Sequence, residues 1–149
     1  MCLMVYLATA REQPTFDVDD LNIQAIEPER THVQRLFSLP FVRFVGAHTG
    51  CSCGFPSIGA DEPIEYYEEM FPGGEQRRAD VNSLRALLDV VNQHVATAGA
   101  AELYPVWNGE EDLPPKGSLT IVASTMTAER FFLIERFLYR IGQREPPAC

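Results

Sequence analysis

The segment His48-Thr49-Gly50-Cys51-Ser52-Cys53-Gly54 holds the residues of this chain best suited to chemistry. Thiolate and imidazole are the usual ligands of Zn²⁺ and must converge within about 2–2.4 Å of the ion. On an extended chain Cys51 and Cys53 point to one face with Cα atoms roughly 6.6 Å apart, near the upper limit for a disulfide. Gly50 and Gly54 flank the pair and allow the backbone to bend His48 toward it. A four-ligand zinc site then needs one more donor. Cys2 supplies it if the first strand lies beside the strand leading into His48, and Cys149 is another candidate. The expected ligand set is His48, Cys51, Cys53 and Cys2, with a structural zinc as the cofactor to test. The spacing between the cysteines is one residue rather than the familiar two.

Two further readings compete for the same segment. A Gly-rich bend after a strand with cysteines as small hydrophobes needs no chemistry, and it is the plainest reading. A histidine that lowers the pKa of a neighbouring thiol would instead make Cys51 or Cys53 a nucleophile, as in a thiol-dependent enzyme or redox sensor. The expected role is that of a small soluble domain without catalysis. An acidic protein-interaction module, or a homodimer formed through an exposed strand at 102–107, is a third possibility.

The elements that must position these residues follow from periodicity. Residues 2–9 read as a buried first strand, 11–20 as a loop, and 21–26 as a second strand stopped by Pro28. Residues 29–38 read as one or two helical turns, and Phe41–Val45 as a strand running straight into the His48 segment. Asp61 followed by Pro63 starts a short acidic helix that ends at Pro72-Gly73-Gly74. Asp80 caps a long helix whose Val81, Leu84, Leu88, Val91 and Val95 fall within about 60° of one line, and Gly99 closes it. Residues 102–107 form a strand placed at an edge because Pro105 cannot donate to a ladder, and 119–123 form another. For 131–141 the aromatic content favours a strand over a helix. The sum is one α+β domain over 1–149, with a mainly antiparallel or mixed sheet of about five strands, one face covered by the long helix.

Length and composition agree. A chain of 149 residues with 46% hydrophobic and 22% charged residues is globular and buries roughly 68% of its surface, so it needs no metal staple to fold. Twelve basic against twenty-one acidic residues give a formal charge of -9, which argues against a nucleic-acid partner. No apolar run approaches the ~20 residues of a membrane span, and the opening Met1-Cys2-Leu3 lacks the basic lead of a signal peptide. A cytoplasmic setting with free thiols is therefore expected. His94 is read as a boundary histidine, His32 as incidental, and Glu110-Glu111-Asp112 as a solvated loop tip. Tyr66, Tyr67, Phe71 and Trp107 are read as packing rather than a ligand cleft. Phosphate-loop, dinucleotide, serine-hydrolase and zinc-protease signatures do not occur.

The opening Met1-Cys2 strand, the segment Val45-Gly46-Ala47-His48-Thr49-Gly50-Cys51-Ser52-Cys53-Gly54-Phe55, and Glu102-Leu103-Tyr104-Pro105-Val106-Trp107-Asn108-Gly109 resemble a group of small uncharacterised bacterial proteins. The resemblance spans most of the chain. It implies that Cys2 and the Cys51/Cys53 pair belong to one folded unit, and it implies no activity, cofactor or site residue.

Overall fold

The run Leu-Met-Val-Tyr-Leu-Ala-Thr is apolar at nearly every position, so it has to be paired on both edges and covered on both faces. In the computed structural model, which describes residues 2–59, 74–128, 131 and 133–144, it forms β1 (Leu3–Thr9), the middle strand of a seven-stranded sheet. The other strands of this sheet are β2 (Phe16–Val18), β3 (Leu21–Ala25), β4 (Phe41–Ala47), β6 (Ala100–Trp107), β7 (Gly117–Val122) and β9 (Phe137–Gly142). Their order is β2-β3-β4-β1-β6-β9-β7, antiparallel throughout except for the parallel pair β7 and β9. Between them β5 (Ser57–Ile58) and β8 (Leu133–Ile134) make a small parallel pair of their own. The fold is α+β with a mixed sheet, and the sheet has seven strands rather than about five.

One face carries α1 (Glu75–Ala98). Its Leu84, Leu87, Leu88, Val91 and Val95 are buried with Leu3, Val5, Leu7, Ile23, Val45 and Leu103. Each such side chain is worth about 1.5–3 kcal/mol on burial, so the stripe is ample to dock the helix. Gly99 closes α1 at φ 91, and its N–H meets the Val95 carbonyl at 2.9 Å. The start differs from expectation: Gly74 precedes the helix and Asp80 lies inside it, buried. The first turns, Glu75-Gln76-Arg77-Arg78, carry no apolar stripe, so periodicity is silent there.

The opposite face is also covered, against the expectation of a single covered face. A 3-10 stretch, Pro28–Leu36, seats Val33 on Tyr6, Ala8, Val42, Tyr104, Val106 and Leu138. The residues read as helical turns thus wind more tightly than an α-helix. Buried Glu102 secures the turn that follows: its Oε1 accepts from Ser38 N at 2.9 Å, Ser38 Oγ at 2.9 Å and Leu39 N at 2.8 Å.

Strand β6 is a correction. It is interior, paired to β1 along its length and to β9 over Ala100–Leu103. Pro105 is tolerated because β9 has already turned away. On that side the Pro105 carbonyl accepts the Arg136 N–H at 2.7 Å, and a strand residue's N and C=O point the same way. Self-association through 102–107 therefore loses its exposed strand. The edges are β2, within the stretch read as a loop, and β7. In the 131–141 stretch the strands Leu133–Ile134 and Phe137–Gly142 are separated by a turn at Glu135-Arg136. The expected short helix after Asp61 falls at residues outside those described, as do Tyr66, Tyr67, Phe71 and Cys149. Among the described residues no helix is long and apolar enough to cross a membrane.

Candidate functional site

Strand β4 ends at Ala47, and the chain turns back at once. The Gly50 N–H meets the Ala47 carbonyl at 2.9 Å and the Ala47 N–H meets the Cys51 carbonyl at 3.0 Å. Gly50 sits at φ +84, which a side chain would strain, and a Cβ on Gly54 would come within 2.9 Å of both Ala47 Cβ and Thr49 Oγ1. The two glycines that flank the cysteines thus serve backbone geometry.

The returning chain takes the place of β4 alongside the first residues of β1. The β1–β4 ladder begins at Val5 and Val45. There the fully buried Ser52 hydroxyl is inserted, accepting from Val5 N at 2.9 Å and donating to the Val45 carbonyl at 2.6 Å. Two residues earlier on the same edge of β1, the Leu3 N–H donates to Cys53 Sγ at 3.2 Å. A loop side chain and a sulfur thereby satisfy two backbone donors that a strand would otherwise pair.

His48 turns the other way. Its Nε2 lies 2.7 Å from Asp80 Oδ1, and its N–H donates to Ser83 Oγ at 2.9 Å, both on α1. Gln76 Nε2 donates to the same Asp80 oxygen at 2.9 Å. Asp80 therefore fastens the loop to the helix, a role different from the cap expected of it.

The two loop sulfurs have other partners than the imidazole: Cys51 Sγ lies 3.4 Å from the Thr49 hydroxyl, and Cys53 Sγ accepts the Leu3 N–H. Cys2 and Cys53 are exposed, Cys51 is partly so, and all three are free thiols. The two loop thiols differ. Partial burial raises Cys51, but hydrogen bonds from the Thr49 hydroxyl and from Cys53 outweigh it and hold the thiol below its ordinary value. Burial and the neighbouring Cys51 charge push Cys53 up, against the Leu3 N–H. Cys51 therefore ionises first and Cys53 keeps its proton.

β1 lies beside β4, as the four-ligand expectation required. The full set nevertheless does not assemble. Among the described residues no three His, Cys, Asp or Glu side chains converge on a point that would hold a metal ion. The geometry at His48, Cys51, Cys53 and Cys2 gives a zinc no support.

Sequence reasoning missed Ser52, Thr49 and Asp80 as partners of the segment. Only Asp80 carried a signal, as a carboxylate four residues before Leu84 on the buried side of the long helix. The Glu110-Glu111-Asp112 tip is also a correction. Glu111 is buried and accepts from Arg30 Nη1 at 2.6 Å and Gly109 N at 2.7 Å, with the Tyr6 hydroxyl at 3.4 Å. Burial, with the Glu111 charge, pushes Tyr6 up to about 12. Asp112 pairs with Arg35 at 3.0 Å and lies 3.4 Å from His32. Glu111 is thus spent inside the molecule, whereas Asp112 stays exposed at the tip as expected. Comparison with protein-family models, with curated proteins and with solved structures returned no match.

Proposed function

We propose that this chain is a thiol–disulfide redox protein in which Cys51 attacks a small disulfide and Cys53 resolves the product. The observation that carries the reading is a pair of free, solvent-accessible thiols one residue apart on a turn whose middle residue, Ser52, is anchored in the sheet. The 3-10 turn over Ser52–Gly54 brings Cys51 and Cys53 nearer than an extended chain would.

The chemistry balances as a two-electron exchange. The Cys51 thiolate attacks one sulfur of a disulfide RSSR, forming a Cys51–SR mixed disulfide and releasing RS⁻. Cys53 gives up its proton and attacks the Cys51 sulfur, which closes Cys51–Cys53 and releases the second thiol. RSSR is reduced to two RSH as the pair is oxidised. Closing the bond takes Cys53 Sγ from the Leu3 N–H, so oxidation is signalled to the first residue of the central strand.

The test treats reduced protein with hydroxyethyl disulfide and follows intact mass and peptide maps. The reading expects loss of two hydrogens located to Cys51 and Cys53, and a trapped adduct on Cys51 in Cys53→Ser. No oxidation, or a bond that joins Cys2 to either residue instead, overturns it.

A further inference from the structure

Far from the thiol turn, the sheet leaves a long backbone edge open. Strand β7 ends the order of seven strands, and among the described residues it pairs with β9 alone. The Pro105 carbonyl fixes which of its groups face outward. That carbonyl is turned to the β9 side, so Ala101 and Leu103 of β6 also face β9 and bond with Ile141 and Tyr139. Leu138, Arg140 and Gly142 then face β7. Their partners in the parallel register, Ser118, Thr120 and Val122, turn their N–H and C=O to the outside. Among the described residues, the Val122 carbonyl alone has a partner there, the Thr125 hydroxyl at 2.7 Å.

The two edges of the sheet are built differently. β2 is three residues long, contains Asp17, lies beside Asp19 and Asp20 and follows Pro14. Short length, charge and proline are the devices that keep an edge from pairing. β7 has none of them: from Gly117 to Ala128 the sequence holds no charged residue and no proline. Ser118 and Thr120 are exposed. Leu119 and Ile121, on the other face, pack against the core beneath α1 and stay partly open at its margin.

We infer that β7 is the seam of a homodimer, in which two copies pair this strand antiparallel about a dyad at Thr120. A second copy is the occupant because the strand is complementary to itself in that register. Thr120 meets its own counterpart, and Ser118 meets Val122 of the partner subunit. All three outward residues thereby gain backbone partners, the Val122 carbonyl through its second lone pair. Leu119 meets Ile121 of the partner subunit on the α1 face, at a position without ladder hydrogen bonds, where side chains approach most closely. A register two residues to one side sets Lys116 against Val122, and two to the other runs into the 3-10 turn Ala123–Thr125. The two seven-stranded sheets become continuous. The seam is independent of the thiol reading, since β6 and β9 lie between β7 and β1.

Sedimentation velocity of the full chain tests this, under reductant so that no disulfide links two copies. Salt at about 0.15 M screens the repulsion between two chains of charge -9. A seam about 20 Å long predicts a dimer with a Kd on the order of 10–100 µM. Thr120→Lys sets two ammonium groups face to face at the dyad, each beside its own Arg140. It is expected to weaken the dimer at least about tenfold with Tm nearly unchanged, because the side chain at 120 is exposed. Adding Thr120→Glu, whose carboxylate meets that lysine only across the seam, is expected to restore a mixed dimer. Native mass spectrometry with one variant isotopically labelled identifies it. A chain that stays monomeric up to about 0.5 mM overturns the proposal and leaves the edge to a strand of some other protein. A dimer indifferent to Thr120→Lys, or a Thr120→Lys chain that Thr120→Glu fails to rescue, overturns it as well.

Discussion

Within seven residues the chain alternates between two kinds of polar group. His48 and Ser52 are turned inward, and their partners are Asp80, Ser83, Val5 and Val45. Cys51 and Cys53 face outward, and their partners are the Thr49 hydroxyl and the Leu3 N–H. The first pair is saturated and holds the frame. The second keeps sulfur accessible. The difference shows that rigidity and reactivity in this loop belong to neighbouring residues, so each can be removed without the other.

The largest effect is expected from Ser52→Ala. It strands a buried N–H on Val5 and a buried carbonyl on Val45, at a cost of about 2–3 kcal/mol. For a domain of this length that lowers Tm by roughly 5–10 °C in thermal unfolding. Asp80→Ala comes next. His48 and Gln76 lose their common acceptor, and a destabilisation of about 1–2 kcal/mol is expected by urea titration, with the reactivities of Cys51 and Cys53 unchanged. Thr49→Val acts on the other side of the comparison. It removes the hydroxyl beside Cys51 Sγ, which also donates to the Cys51 carbonyl at 3.1 Å, so alkylation of Cys51 near neutral pH slows about two- to threefold while stability falls by no more than about 1 kcal/mol. If Ser52→Ala left Tm unmoved, or Thr49→Val unfolded the protein, the division between frame and reactive group would be wrong.

The smallest effect lies away from the loop. Burial lowers the His94 pKa, and Nδ1 has no partner there, while Nε2 meets Gln13. The unfolded chain then takes a proton at higher pH than the folded one. The neutral imidazole is fully tolerated above the ordinary histidine range, and stability is lost as pH falls through it toward the depressed value. His94→Leu should flatten that acid-side fall in Tm without changing the thiol reactivities.

Much of this was legible in the chain. The stripe from Leu84 to Val95 gave the helix and Gly99 its end, and the aromatic 131–141 run gave strand rather than helix, because burial patterns are written in local periodicity. What failed depended on long-range contacts. Pro105 argued for an edge, yet its carbonyl faces a turn thirty-one residues later, at Arg136. Asp80 looked like a cap because the polar first turns of α1 carry no periodicity. Thiol and imidazole seemed one ligand set because they are close in sequence, and the buried partner that separates them lies on another element. Glu111 read as solvated because no local pattern reveals an Arg30 eighty-one residues away.

The central claim is that Cys51 is the attacking thiol of a pair set apart by its surroundings. Competitive alkylation of the reduced protein near pH 7, quantified peptide by peptide, tests it most directly. Cys51 is expected to react at least about tenfold faster than Cys53, with the ratio falling as pH rises and Cys53 ionises. Equal rates for Cys51 and Cys53 across the pH range, or Cys53 reacting first, would contradict the account.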